Sequence, residues 1–204
     1  MRYAYHVITP LARFENLSKL IAMLEPMGVQ WHVITDSDIG FQLVFHQPWI
    51  THYNYTNNEK AFWCRCNAAI NWMLDLAPLN PGDRYCILND DDAYEPDFFK
   101  KLDAVDGELL IASMDRGHQT PPGVESVRAH GTNRLIAAPD NMRVGSVGVE
   151  QFVASGKVIS VCRLPLEVTG DGMMIEYMVQ HFPATYVPEA SVWFNYYEPG
   201  RWNK

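Results

Sequence analysis

The sequence predicts an α/β fold with a mostly parallel central sheet. Two observations predict it: a strand, helix, strand unit opens the chain, and a later apolar strand runs directly into three consecutive aspartates. Parallel strands joined by a crossover helix gather their ligands at the carboxyl ends of the strands, and Thr9, Asp36 and Asp90 to Asp92 all fall at such ends. With 204 residues, 48% hydrophobic and 20% charged, the chain is long enough for a full core, and a single domain over 1–204 is expected. The formal net charge of -8 argues against general nucleic-acid binding, which needs a basic stripe. It also means that an anionic ligand must be met by a metal or by a locally basic pocket.

Tyr3 to Ile8 reads as the first strand, broken by Thr9-Pro10. Phe14, Leu17, Leu20, Ile21 and Leu24 then recur at helical spacing, and Pro26 and Gly28 close the segment. Gln30 to Thr35 forms the second strand, ending in Asp36-Ser37-Asp38. The aromatic stretch 45–55 reads as a loop with a short strand, its rings packed beneath the loop or facing a ligand. A long helix follows from about Asn58, carried by Phe62, Cys66, Ala69, Ile70, Met73 and Leu76, until Pro78 and Pro81-Gly82 end it. Arg84 to Leu88 is a buried strand, and after the triplet Pro96 suits a first helical turn whose buried face is Phe98, Phe99 and Leu102.

Glu108 to Met114 reads as another strand. The aperiodic stretch 115–133 has the length of a lid or binding loop and holds His118 and His130, read as surface residues or ligands. Leu135 to Ala138 and Val147 to Val153 are further strand candidates; Ser155-Gly156-Lys157 makes a turn, and Val158 to Val161 resumes an apolar run. Thr169-Gly170-Asp171-Gly172 opens a helix expected to bury Met173, Met174, Tyr177, Met178 and His181. Ala184 to Val187 and Ser191 to Tyr197 are extended. Cys64 and Cys66 lie two apart on the long helix, roughly 200° around its axis, so no zinc site is expected. No apolar run approaches the roughly 18 residues that span a bilayer, and the first nine residues lack a signal-peptide core. A cytoplasmic protein is the expectation.

Three adjacent carboxylates repel one another, and at a strand end they suggest a place that receives a cation; a solvated acidic turn is the other reading. Side chains two apart on an extended chain point the same way, which puts Asp90 and Asp92 on one side as oxygen ligands for Mg2+ or Mn2+.

The order of a strand ending in Asp36, a long helix with Asn67, Tyr85-x-x-Leu88 leading into Asp90-Asp91-Asp92-x-x-x-Pro96, and Gly170-Asp171 before a helix resembles glycosyltransferases of the GT-A fold, a Rossmann-like three-layer α/β/α sandwich. The likeness is to small family 2-like and glucuronyltransferase-like members and covers roughly residues 3 to 182. It implies a nucleotide-sugar donor carrying UDP or GDP, a carbohydrate or other hydroxyl acceptor, and Mn2+ or Mg2+ as cofactor. It implies that Asp92 ligates the metal, with Asp90 and Asp91 near nucleotide and sugar. Thr9 and Pro10 would line the nucleoside pocket, Asp36 would bind the base, and Asn67 would lie at the donor. An Arg-Asn pair is usual on the long helix, and here Arg65 stands one residue out of place. Asp171 matches the acid that deprotonates the acceptor in inverting members; a helix N-cap is its other reading. Glu198-x-x-Arg201-Trp202 resembles the Gln-x-x-Arg-Trp signature of processive synthases with its first residue replaced. Two other functions share the features: a sugar-nucleotide nucleotidyltransferase, whose Gly-rich loop is absent from Thr9 to Arg13, and a non-catalytic carbohydrate- or nucleotide-binding module.

Overall fold

The computed structural model describes residues 2–36, 43–56, 62–115, 134–145, 147–194, 196 and 197. Among these residues nine strands form one sheet: β1 (Tyr5–Pro10), β2 (Gln30–Asp36), β3 (Ile50–Tyr55), β4 (Arg84–Ile87), β5 (Ala93–Tyr94), β6 (Leu109–Asp115), β7 (Arg134–Leu135), β8 (Phe152–Ser155) and β9 (Ala184–Trp193). Their order is β3-β2-β1-β4-β8-β6-β9-β5, with β7 against β6. β3, β2, β1 and β4 are parallel. β8 runs antiparallel to both β4 and β6, and β9 is parallel to β6. The carboxyl ends of β1, β2, β4, β6 and β9 therefore share one rim with the amino end of β8.

Alternation along each strand fills two cores, which makes three layers. Val7, Trp31, Val33, Cys86 and Leu110 face α1 (Leu17–Leu24) and α3 (Phe98–Asp103). Ile8, Ile34, Ile87, Ile111 and Phe152 face α2 (Phe62–Leu76), α4 (Gly156–Ile159) and α5 (Gly170–His181). Among the described residues no helix is long and apolar enough to cross a membrane.

Several expectations change. Of 135–138 only Leu135 joins a strand, and the turn read at 155–157 and the start of the apolar run after it form a helix. Ser155 caps α4 by accepting from the Val158 amide at 3.3 Å, and a Cβ on Gly156 would lie 2.1 Å from the Asn80 carbonyl oxygen, so the chain turns into a helix where only glycine fits. Of 147–153, residues 149–151 form a 3-10 turn and only the end joins β8. α5 buries Met174, Ile175 and Met178, while Met173 and Tyr177 are 37% and 45% exposed and His181 is exposed too; its polar residues Asp171, Glu176, Gln180 and His181 are spread around the axis, so spacing alone does not select its inner face. The stretch 116–133 with His118 and His130, and the 198–202 motif, lie outside the described residues.

At the opposite rim, His6 Nδ1 and His32 Nε2 share a hydrogen bond of 2.9 Å, His6 Nε2 meets Asp83 at 3.2 Å, and Tyr53 Oη lies 3.4 Å from His32 Nδ1. Burial, with His6 adding to it, lowers the His32 pKa from 6.5 to about 4. The unfolded chain then takes up a proton at a pH where the folded one does not. Stability is fully present above pH 6.5 and is lost as pH falls to about 4, by of the order of 3 kcal/mol. Urea titrations from pH 7.5 to 4 should show this slope, and His32→Phe should flatten it; an equally steep slope in the variant would contradict the assignment.

Candidate active site

The acidic triplet leaves β4 as a turn, not as a continued strand. The Asp92 amide donates to the Asn89 carbonyl at 3.2 Å, Asn16 Nδ2 donates to the Asp90 carbonyl at 3.0 Å, and the Tyr197 amide donates to the Asp91 carbonyl at 3.0 Å. Strand alternation, on which the expected pairing of Asp90 with Asp92 rested, ends with the strand. Asp90, 2% exposed, accepts from the Ala12 amide at 2.7 Å, the Arg13 amide at 2.6 Å and the Arg13 guanidinium. Arg13 Nη2 also lies 3.2 Å from Asp91. Asp90 thus clamps the segment leaving β1 to the segment leaving β4. Asp92 is wholly buried and forms no part of the cavity wall.

That cavity, about 190 Å³, opens at the shared rim. Arg13, Asn67, Asp90, Asp91, Glu150 and Asp171 supply its polar groups, and Ile70, Val149, Val168 and Phe194 supply apolar wall. Glu150 is the residue that sequence reasoning missed. It reaches the rim because β8 is antiparallel, so the turn entering β8 arrives where the other strands leave. Its only signal in the sequence is a carboxylate inside the apolar run 147–153.

Asp171 is set in place by α2. Asn71 Nδ2 donates to the Leu164 carbonyl and Asn71 Oδ1 accepts from the Leu164 amide, both at 2.8 Å. One turn earlier Asn67 Nδ2 donates to the Pro165 and Glu167 carbonyls at 2.8 and 3.3 Å. A Cβ on Gly170 would lie 2.1 Å from the Pro165 carbonyl oxygen, so glycine is required where this loop enters α5. Thr169 occupies the N-cap without a side-chain bond, and Asp171 lies inside the first turn, its Oδ1 accepting from the Gly172 amide at 2.7 Å. Asp171 is therefore not the N-cap.

A second cavity, about 220 Å³, adjoins the first and shares Pro10 and Cys66 with it. Asp36, Tyr55 and Arg65 line it, with Arg65 Nη1 3.6 Å from Asp36 Oδ2. The one-residue shift along α2 thus sends Arg65 into this chamber and Asn67 into the other. Thr9 lines neither: it is fully buried on the other face of β1, its Oγ1 accepting from Trp31 Nε1 at 2.9 Å. Burial above all, then Asp90, holds the Cys66 thiol up to about 12, so it stays protonated and is no nucleophile.

Among the described residues no three His, Cys, Asp or Glu side chains gather as a ready-made metal site. A Mg2+-type ion asks less of the protein, taking one or two carboxylates and completing its shell with water and phosphate. Four carboxylates surround one guanidinium here, a formal surplus of three negative charges. Such a donor set fits a divalent cation, with Asp91, which meets the cavity beside the amide-clamped Asp90 and pairs with Arg13, as the triplet's ligand.

No family model matches the sequence, and no curated protein sequence matches it. In three dimensions the chain is similar to S. aureus TarS 1-349, with TM-score 0.55 and 10% identity over 93% of this chain and 60% of that one. It thus spans 60% of the TarS chain's length. It is also similar to a 4-diphosphocytidyl-2C-methyl-D-erythritol synthase, with TM-score 0.49 and 9% identity over 92% and 89% of the two chains. At such identity the likeness to TarS speaks to the fold alone, a GT-A-like, Rossmann-like α/β arrangement.

Removing one partner of a buried ion pair strands the other, at a cost of roughly 3 kcal/mol or more. Asp90→Ala should lower unfolding free energy by about that much in EDTA-containing buffer. Unchanged metal-free stability, with loss of a Mn2+-induced shift instead, would make Asp90 a ligand and not a clamp.

Proposed function

We propose that the protein is a glycosyltransferase that moves a sugar from a UDP- or GDP-sugar to an acceptor hydroxyl with inversion. The observation that carries this reading is the pair of adjoining cavities at the rim. One holds Asp36 and Arg65; the other joins Arg13, Asp91 and Asp171 from three separate segments. Two chambers meeting at Pro10 suit a ligand with a base at one end, a sugar at the other and a diphosphate between.

In this reading Asp36 accepts a hydrogen bond from a base N–H, and Arg65 beside it donates to a base carbonyl. Arg13, in the first cavity and close in sequence to the shared Pro10, would meet the diphosphate. A Mn2+ or Mg2+ ion held through Asp91 would supply, when bound, the positive charge that offsets the leaving diphosphate. Asp171 takes the proton from the acceptor hydroxyl as its oxygen bonds to the anomeric carbon. The bond from that carbon to the phosphate oxygen breaks as the new one forms, its electron pair leaving with the diphosphate, so the anomeric configuration inverts. Phe194 and Val149 supply apolar wall beside the reacting carbon.

Isothermal titration with UDP and GDP, each with and without Mn2+, tests the reading. One nucleotide should bind, the ion should strengthen its binding, and Asp91→Asn should remove that dependence. Asp171→Asn should keep the affinity for the nucleoside diphosphate while lowering turnover by about 10² to 10⁴. Binding indifferent to the ion, or full turnover in Asp171→Asn, would contradict it; release of pyrophosphate from a nucleoside triphosphate would identify a nucleotidyltransferase instead.

A further inference from the structure

Glu150 has no part in the steps above, yet the fold takes trouble to place it. The side chain is 1% exposed and lines the same cavity as Asp91 and Asp171. Its turn is pinned from both sides: Gln151 Oε1 accepts from the Gly148 amide at 3.1 Å, and Gln151 Nε2 donates to the Ala112 carbonyl at 3.0 Å. A Cβ on Gly148 would lie 2.3 Å from Glu150 Oε1. The carboxylate therefore rests against a bare α-carbon, and residue 148 must be glycine for it to stay there.

An ionised carboxylate only accepts hydrogen bonds, and its two oxygens accept from two neighbouring hydroxyls at once. A neutral sugar offers such a pair. A sugar that carries its own carboxylate brings like charge against Glu150, in a cavity whose four carboxylates outnumber its one guanidinium, and like charges juxtaposed in a partly buried site discriminate strongly.

We propose that Glu150 selects the sugar of the donor, accepting hydrogen bonds from the hydroxyls of a neutral hexosyl group and turning away uronate donors. The proposal rests on the nucleotide-sugar reading of the site and adds the class of sugar to it. Gln in place of Glu keeps an acceptor oxygen and removes the charge, so it should chiefly relieve the exclusion. Gly148→Ala should act in the same direction by displacing the carboxylate.

The experiment is isothermal titration, in Mn2+ buffer, of wild type, Glu150→Gln and Gly148→Ala. The probes are UDP, UDP-glucose and UDP-glucuronate, and in parallel GDP, GDP-mannose and GDP-mannuronate. Wild type should bind the neutral nucleotide sugar at least about tenfold more tightly than its uronate counterpart. Glu150→Gln should bring the two within about threefold of each other while leaving the affinity for UDP or GDP as it was. If Glu150→Gln fails to fold, as judged by circular dichroism, Gly148→Ala decides. A discrimination that survives in the folded variants, or a wild type that prefers the uronate, overturns the role of Glu150 while leaving the nucleotide-sugar reading intact. Failure of both UDP and GDP to bind removes that reading, and this proposal with it.

Discussion

The arrangement of the rim depends on one buried carboxylate. Asp90 accepts from two successive backbone amides, Ala12 and Arg13, and from the Arg13 guanidinium. Hydrogen bonds to a charged acceptor are roughly twice as strong as neutral ones, and three of them converge on one side chain. They fix where the chain goes after β1, and so fix the wall between the two cavities, because Pro10 belongs to both. The Asn16 amide group and the Tyr197 backbone hold the same turn from its carbonyl side. The first strand, the fourth strand and the segment after the ninth are thus tied at a single point.

This division of labour separates the three aspartates. Asp90 is clamped by the amides after β1, Asp92 lines neither cavity, and Asp91, paired with Arg13 at 3.2 Å, meets the cavity beside Asp90. On the far wall two asparagines of α2, one helical turn apart, do for Asp171 what Asp90 does for Arg13: they hold the backbone of 164–167 by direct bonds to its carbonyls and one amide. Carboxylates on a clamped turn and on a pinned helix start keep their separation without help from a ligand. Such preorganisation is what a charged transition state requires.

The layered α/β fold was legible because its signals are local. The 2.0 and 3.6 periods of β1, α1, β2 and α2 survive in the sequence, and the proline and glycine breaks fall where the elements end. The position of the triplet at a carboxyl rim was legible for the same reason. What the periods do not carry is direction and the shape of turns. β8 runs backwards between β4 and β6, and only that reversal brings Glu150 to the rim. The turn at 89–92 broke the two-residue alternation from which the roles of Asp90 and Asp92 were inferred. Thr9 and Pro10, adjacent in sequence, face opposite sides of the sheet, so only Pro10 reaches the cavities. Gly156 was read as part of a turn, but its contact with the Asn80 carbonyl is a tertiary fact that makes 156–159 helical.

The central claim is that the two chambers hold one extended nucleotide sugar across their shared wall. A crystal grown with Mn2+ and whichever of UDP or GDP binds addresses it most directly. The account predicts the base beside Asp36 and Arg65, the diphosphate at Arg13, and the ion on Asp91 with Asp90 still bonded to the Ala12 and Arg13 amides. A nucleotide seated elsewhere on the molecule, or an ion on Asp90 with the amide clamp broken, would contradict it.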